Sequence, residues 1–218
     1  MSDDPEKTAA GAEEAPAVEQ KAGKNKRKQL ELHDPVHNAD LLVDSMEEVE
    51  FLQWLFEAHS LGIVTDFIYQ PDSFLLTGKV DYMPMFPANP KKPKAKCLFR
   101  DHIYTADFKV VLASKFLEAS SKGFVVMDNG KPGEDYTVWV DTKGTFMLHG
   151  GDRSFSINQK LVWEKYGVYI QKVVPKEFFR KLGVPPCLRY TFQKKQISHK
   201  YDGYNFIATQ YGIAKSES

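Results

Sequence analysis

Tyr104-Thr105-Ala106-Asp107-Phe108 and, further along, Val138-Trp139-Val140-Asp141-Thr142-Lys143-Gly144 are the stretches on which the fold turns. Each reads as a β-strand carrying one acid, and the second adds a lysine two residues after its acid. Strand side chains alternate between faces, so Asp141 and Lys143 project on the same side. Asp107 and Asp141 sit among apolar and aromatic neighbours, where a charge is costly unless a partner or a metal offsets it. Two carboxylates and an ammonium on one sheet face suit a divalent cation and a phosphodiester. Hydrolysis of that bond needs a deprotonated water, neutralised phosphorane charge and help for the leaving oxygen. One or two Mg²⁺ ions held by carboxylates supply all three. Asp107 and Asp141 are the natural ligands, Thr142 offers a carbonyl between the acid and the lysine, and Lys143 brings charge to the attacking water or the phosphate.

Upstream, Ser45-Met46-Glu47-Glu48 fits a capping box, in which the hydroxyl accepts from a free backbone N–H and the later acid reaches back. Val49, Leu52, Leu55 and Phe56 follow at helical spacing, and the helix is expected to stop near Gly62. Glu48 lies at the edge of that apolar stripe. It is the expected third acid, preferred over Glu47 and Glu50, although capping competes for it. Residues 64–69 and 74–82 read as strands joined into a hairpin by Gln70-Pro71-Asp72-Ser73. Residues 83–96, with four prolines and four lysines, read as an exposed basic loop. One strand is expected over 103–112. An insertion over 114–134 holds a short helix and an Asp128-Asn129-Gly130 turn. A strand over 136–143, a loop at Gly150-Gly151-Asp152, a helix over 155–166, a strand over 168–174 and a short helix over 175–183 follow.

That order implies an α/β fold with a mixed central β-sheet flanked by helices. Residues 1–40, rich in Ala, Glu, Lys and Pro up to Gly23, read as a disordered arm. Residues 41–186 read as the core domain and 187–218 as a C-terminal extension. With 218 residues and 42% apolar content the chain can bury one core of ordinary size. Its formal net charge is zero, so attraction to a polyanion must come from local patches. Cys97 and Cys187 form neither a disulfide framework nor a recognisable zinc spacing. No run reaches the ~20 apolar residues of a membrane span, and the acidic N-terminus is unlike a signal peptide. These features point to a soluble, cytoplasmic protein.

Two patches suit nucleic acid. Lys91, Lys92, Lys94, Lys96 and Arg100 precede the first acidic strand, and Lys194 and Lys195 lie near Phe192, Tyr201 and Tyr204. Basic side chains grip phosphates and interleaved aromatics stack on bases. On the second long helix, Gln159 and Lys160 are further candidates to orient a nucleotide or meet the scissile phosphate.

Taken together, these motifs resemble the PD-(D/E)xK nuclease superfamily, and within it the small phage and prophage endonuclease-like proteins. The resemblance runs over roughly residues 44–175. Ser45-Met46-Glu47-Glu48 with Phe51 resembles that group's first helix, and Phe67 to Pro71 with Phe74 its hairpin. Tyr104 to Phe108 resembles the first acidic strand, and Val140-Asp141-Thr142-Lys143-Gly144 the (D/E)xK strand with its trailing glycine. Ala106 stands where the motif has proline, and Asp141 where Glu is more usual. The resemblance implies a restriction-endonuclease-like core and a Mg²⁺- or Mn²⁺-dependent site. Glu48, Asp107 and Asp141 would bind metal, Lys143 would assist the nucleophile, and Lys160 would belong to the catalytic set. It further implies phosphodiester hydrolysis of DNA, duplex or branched, by a phage-type endonuclease that is structure-selective or junction-resolving. Members of the group often pair, so a homodimer is among the expectations. The alternative is a catalytically silent protein of the same fold, acting as a nucleic-acid-binding or virion-associated module.

Overall fold

A computed structural model describes residues 29–128, 131–144, 151–189, 201 and 203–213. The first elements are β1 (Leu30–Asp34), β2 (Ala39–Val43), α1 (Met46–Ser60) and β3 (Val64–Tyr69). There follow β4 (Phe74–Thr77), β5 (Val80–Tyr82), β6 (Lys96–Phe99), β7 (His102–Tyr104) and β8 (Phe108–Leu112). A 3-10 turn at Ser114–Phe116 leads into α2 (Leu117–Ser120). The second half holds β9 (Tyr136–Thr142), α3 (Gly151–Tyr166), β10 (Ile170–Val173) and α4 (Pro175–Leu182). A 3-10 turn at Pro186–Leu188 and α5 (Ile207–Gln210) follow.

The central sheet has the order β10-β9-β8-β3. β3 and β9 are antiparallel to β8, and β10 runs parallel to β9, so the sheet is mixed as expected. A parallel pair needs a long crossover, and α3 supplies it. Phe108 faces Val140 across the β8–β9 ladder, and Lys109 faces Trp139. Residues opposed in this way share a face. Phe108, Val110, Leu112, Val138 and Val140 therefore pack together against Phe51, Leu52, Trp54 and Leu55 of α1. Phe178 of α4 adds edge-on contacts to Phe51 and Trp54. The opposite face, with Ala106, Trp139 and Ile170, packs against Phe155, Leu161 and Val162 of α3. Helices thus cover the sheet on both sides.

Five expectations need correction. The strands at 64–69 and 74–82 do not form a hairpin. β3 pairs with β8, while β4 and β5 pair with β7 and β6. Gln70 turns the chain with φ 46° and donates its N–H to the Asp107 carbonyl, and Pro71 beyond it offers no ladder donor. The single strand expected over 103–112 is two, β7 and β8, parted at residues 105–107. Ala106 there is fully buried against α3, which pulls the chain out of line. Residues 30–40 are not a structureless arm: β1 and β2 form a hairpin whose Leu30, Leu32, Leu41 and Val43 alternate inward onto the main core. The described residues of the C-terminal extension likewise join the core. Tyr201, Ile207 and Tyr211 pack into it, and Ile207 comes so near Gly183 that a Cβ there would stand 2.5 Å from its backbone. Gly183 also has φ 87°, which an L side chain rarely adopts. The loop expected at Gly150-Gly151-Asp152 becomes, from Gly151, the first turn of α3.

Candidate active site

The sequence-predicted acids gather where α1 begins, β3 and β9 end and β8 begins. Ser45 caps α1 by accepting from the Glu48 N–H at 3.2 Å, so the first turn is set by the expected motif. The reciprocal half of the box is altered. Glu48 Oε1 accepts from the Ser45 hydroxyl at 2.7 Å rather than from its backbone. Glu48 Oε2 accepts from the Tyr69 hydroxyl at 2.7 Å and from the Asp44 N–H at 3.3 Å. Glu48 is buried, and both its oxygens are engaged.

Asp107 occupies the bend between β7 and β8. Its Oδ2 accepts two hydrogen bonds from Thr142, from the N–H at 2.6 Å and from the hydroxyl at 2.8 Å. Asp141, in β9, is 3% exposed. Its Oδ2 accepts from the Tyr104 hydroxyl at 2.8 Å, and its Oδ1 forms a short ion pair with Lys143 Nζ. The predicted sharing of one face by Asp141 and Lys143 is therefore realised.

The charges of this cluster are poorly balanced. Burial, and then the Asp141 carboxylate, push Asp107 up to about 8, with a smaller push from Glu48 and an opposing pull from Lys143. Two carboxylates this close in a desolvated place favour sharing a proton over ionising together. Burial and the neighbouring acids likewise drive the hydroxyls of Tyr104 and Tyr69 far above their ordinary range, Tyr104 beside Asp141 and Tyr69 beside Glu48. Both stay neutral donors at any physiological pH.

Does this donor set fit a divalent cation? Among the described residues, no three His, Cys, Asp or Glu side chains stand as a group ready to hold a metal ion. Glu48, bonded to Ser45 and Tyr69, is turned to its own helix cap. Asp107 and Asp141 are the two acids that crowd one another. Mg²⁺ is commonly held by one or two carboxylates with the rest of its shell from water and phosphate. A pair of hard oxygen donors in which burial, and then mutual repulsion, lifts a carboxyl to about 8 is what such a cation relieves. By their chemistry Asp107 and Asp141 are the side chains that would suit Mg²⁺, while both oxygens of Glu48 are taken up by Ser45, Tyr69 and Asp44.

Other predicted residues fall elsewhere. Thr142 turns its N–H and hydroxyl toward Asp107. Gln159 donates to the Ile170 carbonyl and so fastens α3 to β10. Lys160 is exposed, well round α3 from Phe155, Gln159 and Val162, which face the sheet. The structure does not bring it to the acids. Lys91, Lys92, Lys94, Lys96 and Arg100 are all exposed on the excursion between β5 and β7. Lys194 and Lys195 lie outside the described residues, as does most of the Asp128-Asn129-Gly130 turn.

Sequence reading passed over Tyr69 and Tyr104, the two hydroxyls that hold the acids. It also passed over Glu47, whose Oε1 would lie 3.1 Å from a Cβ at Gly144. Tyrosine in a strand is too ordinary to signal either role. Gln70 carries a clearer mark, since a non-glycine residue at φ 46° is strained and such positions cluster at functional sites. Its amide donates to the Tyr69 hydroxyl at 3.1 Å and to Asp44 at 3.1 Å, joining the same network. Compared with family models, curated proteins and solved structures, the chain matches none of them.

Proposed function

We propose that this chain is a metal-dependent phosphodiester hydrolase that cuts DNA, built on a restriction-endonuclease-like core of the PD-(D/E)xK type. The observation that carries the reading is the crowding of Asp107 against Asp141 with Lys143 in contact and Glu48 near enough to be felt. Acids from a helix start, a strand bend and a strand end meet a lysine two residues after one of them. No requirement of folding asks for that. Buried like charges cost stability, and they persist where chemistry uses them. When bound, Mg²⁺ or Mn²⁺ would supply positive charge against the scissile phosphate and acidify a water. Asp107 and Asp141 would hold the ion. Thr142 fixes the Asp107 carboxyl with two donors, and Tyr104 fixes the far oxygen of Asp141. Lys143, a quarter exposed, presents its ammonium to a phosphate oxygen or to the attacking water. Tyr69 and Ser45 hold and orient the Glu48 carboxyl through hydrogen bonds to its two oxygens.

The test is nicking of supercoiled plasmid with Mg²⁺, Mn²⁺ or chelator, extended to linear, flap and four-way substrates. Asp107→Ala, Asp141→Ala and Lys143→Ala are expected to lose cutting with circular dichroism unchanged. If all three cut like wild type, the reading is wrong. A second reading has an observation of its own. Lys143 already neutralises Asp141, and no ready three-ligand metal group stands among the described residues. That favours a silent module of the same fold that only binds nucleic acid. Calorimetry separates the two, since a silent module retains DNA binding and gives no heat with Mg²⁺ or Mn²⁺. No helix among the described residues is long and apolar enough to cross a membrane.

A further inference from the structure

Between β3 and β8 the chain leaves the sheet and returns as a two-stranded arm. β4 pairs with β7 at its root, and β5 pairs with β6 further out. Both pairings are irregular, at 75–77 and at 80–81, which bends the arm. The root is fixed. Phe74 packs on Trp139 and Tyr166 at 4.9 and 5.2 Å, and the Leu75 carbonyl accepts from Lys165 Nζ and the Tyr166 hydroxyl. Tyr104, at the end of β7, touches Asp141. The arm therefore grows out of the acid cluster itself. At ~3.3 Å per residue the Phe74 to Tyr82 limb reaches at most about 26 Å.

Its outer part breaks two habits of protein surfaces. Every residue of β5 and β6 is exposed, and the tip bears Met85 at 86% and Phe86 at 88% exposure, with Met83, Leu98 and Phe99 also open. Large apolar side chains gathered at one tip mark a binding surface. Residues 83–100 also hold Lys91, Lys92, Lys94, Lys96 and Arg100 and no acid, in a chain whose net charge is zero. Four prolines in that span restrict the backbone, so little order remains to be imposed on binding. Cations serve a polyanion, and exposed Phe and Met serve surfaces that can be stacked on.

We infer that this arm grips nucleic acid at unpaired nucleotides, with Phe86 and Met85 against exposed bases and the lysines on the adjoining phosphates. This rests on the hydrolase reading for its setting and narrows the substrate to DNA with single-stranded or discontinuous segments. Bases in an intact duplex must be unstacked before a side chain reaches their faces, whereas unpaired bases present them freely. Charge complementarity favours nucleic acid over a second copy of this neutral chain.

The experiment uses the full chain in chelator, so that nothing is cut. Fluorescence anisotropy follows a labelled single-stranded oligonucleotide and a blunt duplex of equal length. M85S/F86S is expected to weaken single-strand binding roughly tenfold or more and duplex binding far less. K91Q/K92Q/K94Q is expected to weaken both and to lower the slope of log affinity against log salt by about two. K122Q, a surface lysine off the arm, should change neither. The substituted arm residues are all exposed, and matching melting temperatures check that the variants fold. Should M85S/F86S fail that check, the lysine triple carries the test. Wild-type affinity in both arm variants overturns the inference, as does an unchanged affinity accompanied by loss of a dimer in sedimentation. Absence of metal-dependent cutting by wild type, with the arm effects present, removes the hydrolase and leaves the arm.

Discussion

Two regions of this protein place a pair of carboxylates around one basic side chain, and they resolve the charge in opposite ways. In the β1–β2 turn, His37 lies between Asp34 and Asp66, with Nδ1 at 2.7 Å from one and Nε2 at 3.1 Å from the other. Asp34 is buried, yet its Oδ1 also accepts from the N–H groups of Val36 and His37. Every buried oxygen has a donor, and the imidazole is held above its ordinary value, first by its bond to Asp34. At the acid cluster the cation sits on one side, on Asp141, and Asp107 keeps a proton up to about 8. The first cluster is settled and pins a hairpin to the sheet. The second is unsettled in the protein alone, and that residual demand for positive charge is what the proposed chemistry would draw on.

The largest expected effect separates them by activity. Lys143→Ala or Asp141→Ala is expected to lower plasmid nicking by roughly 10³-fold, because a metal ligand or a transition-state charge is lost. Asp34→Ala changes nicking only a few-fold at temperatures where it is folded, since its bonds go to Val36 and His37 and serve a turn. Equal losses in the two regions would break the distinction.

Stability reverses the order. Asp34→Ala leaves two backbone N–H groups and an imidazole without their acceptor, at a cost of about 3 kcal/mol in urea denaturation. Asp107→Asn keeps an acceptor for Thr142 and removes one of two crowded charges. It should raise stability at pH 8.5 by about 1 kcal/mol, the usual sign when a functional site is relaxed. A destabilised Asp107→Asn would mean that its charge is already well compensated.

Titration sharpens the contrast further. Both groups bind protons more tightly when folded, so both make the protein less stable as pH rises. For His37 the contribution is full below its ordinary value near 6.5 and is lost as pH climbs through the raised folded value. For Asp107 the loss runs from its ordinary value near 4 up to about 8. The variants tell them apart. His37→Gln flattens the upper part of the curve by lowering stability at acid pH, and by well under 1 kcal/mol because the imidazole is largely solvated. Asp107→Asn flattens the curve by raising stability at alkaline pH. Melting curves from pH 4 to 9 in chelator read both.

Much of the settled architecture was legible in the sequence. The Ser45 cap with its apolar stripe gave α1, and unbroken β-branched and aromatic runs gave β3 and β9. The acid-x-lysine spacing placed Asp141 and Lys143 on one face because a strand has period two. What was not legible depends on tertiary pull. The bend that carries Asp107 contains neither glycine nor proline and follows from Ala106 being drawn under α3. The β1–β2 hairpin does alternate, Leu30 and Leu32 against Glu31 and His33, but a polar run before it masks the signal. Lys160 was read from its place on a helix without knowing which stripe of α3 would be buried. Tyr69 and Tyr104 carry no pattern at all, and only the meeting of distant strands reveals them.

The last effect bears on Glu48, which stands between the two kinds of cluster. Its hydrogen bonds to Ser45 and Tyr69 are of the settled kind, while its field reaches Asp107. Tyr69→Phe removes one donor and leaves the ring in the core. The loss of one hydrogen bond to a charged group costs about 1–2 kcal/mol of stability. If Glu48 belongs to the site, the freed oxygen makes it a better acceptor for positive charge. Mg²⁺ affinity measured by calorimetry would then rise about fivefold, the equivalent of about 1 kcal/mol. If Glu48 only closes the helix, stability falls and Mg²⁺ affinity stays where it was. In that case the proposed metal-holding set stays the Asp107–Asp141 pair, and the acid on α1 belongs to the cap that first suggested it.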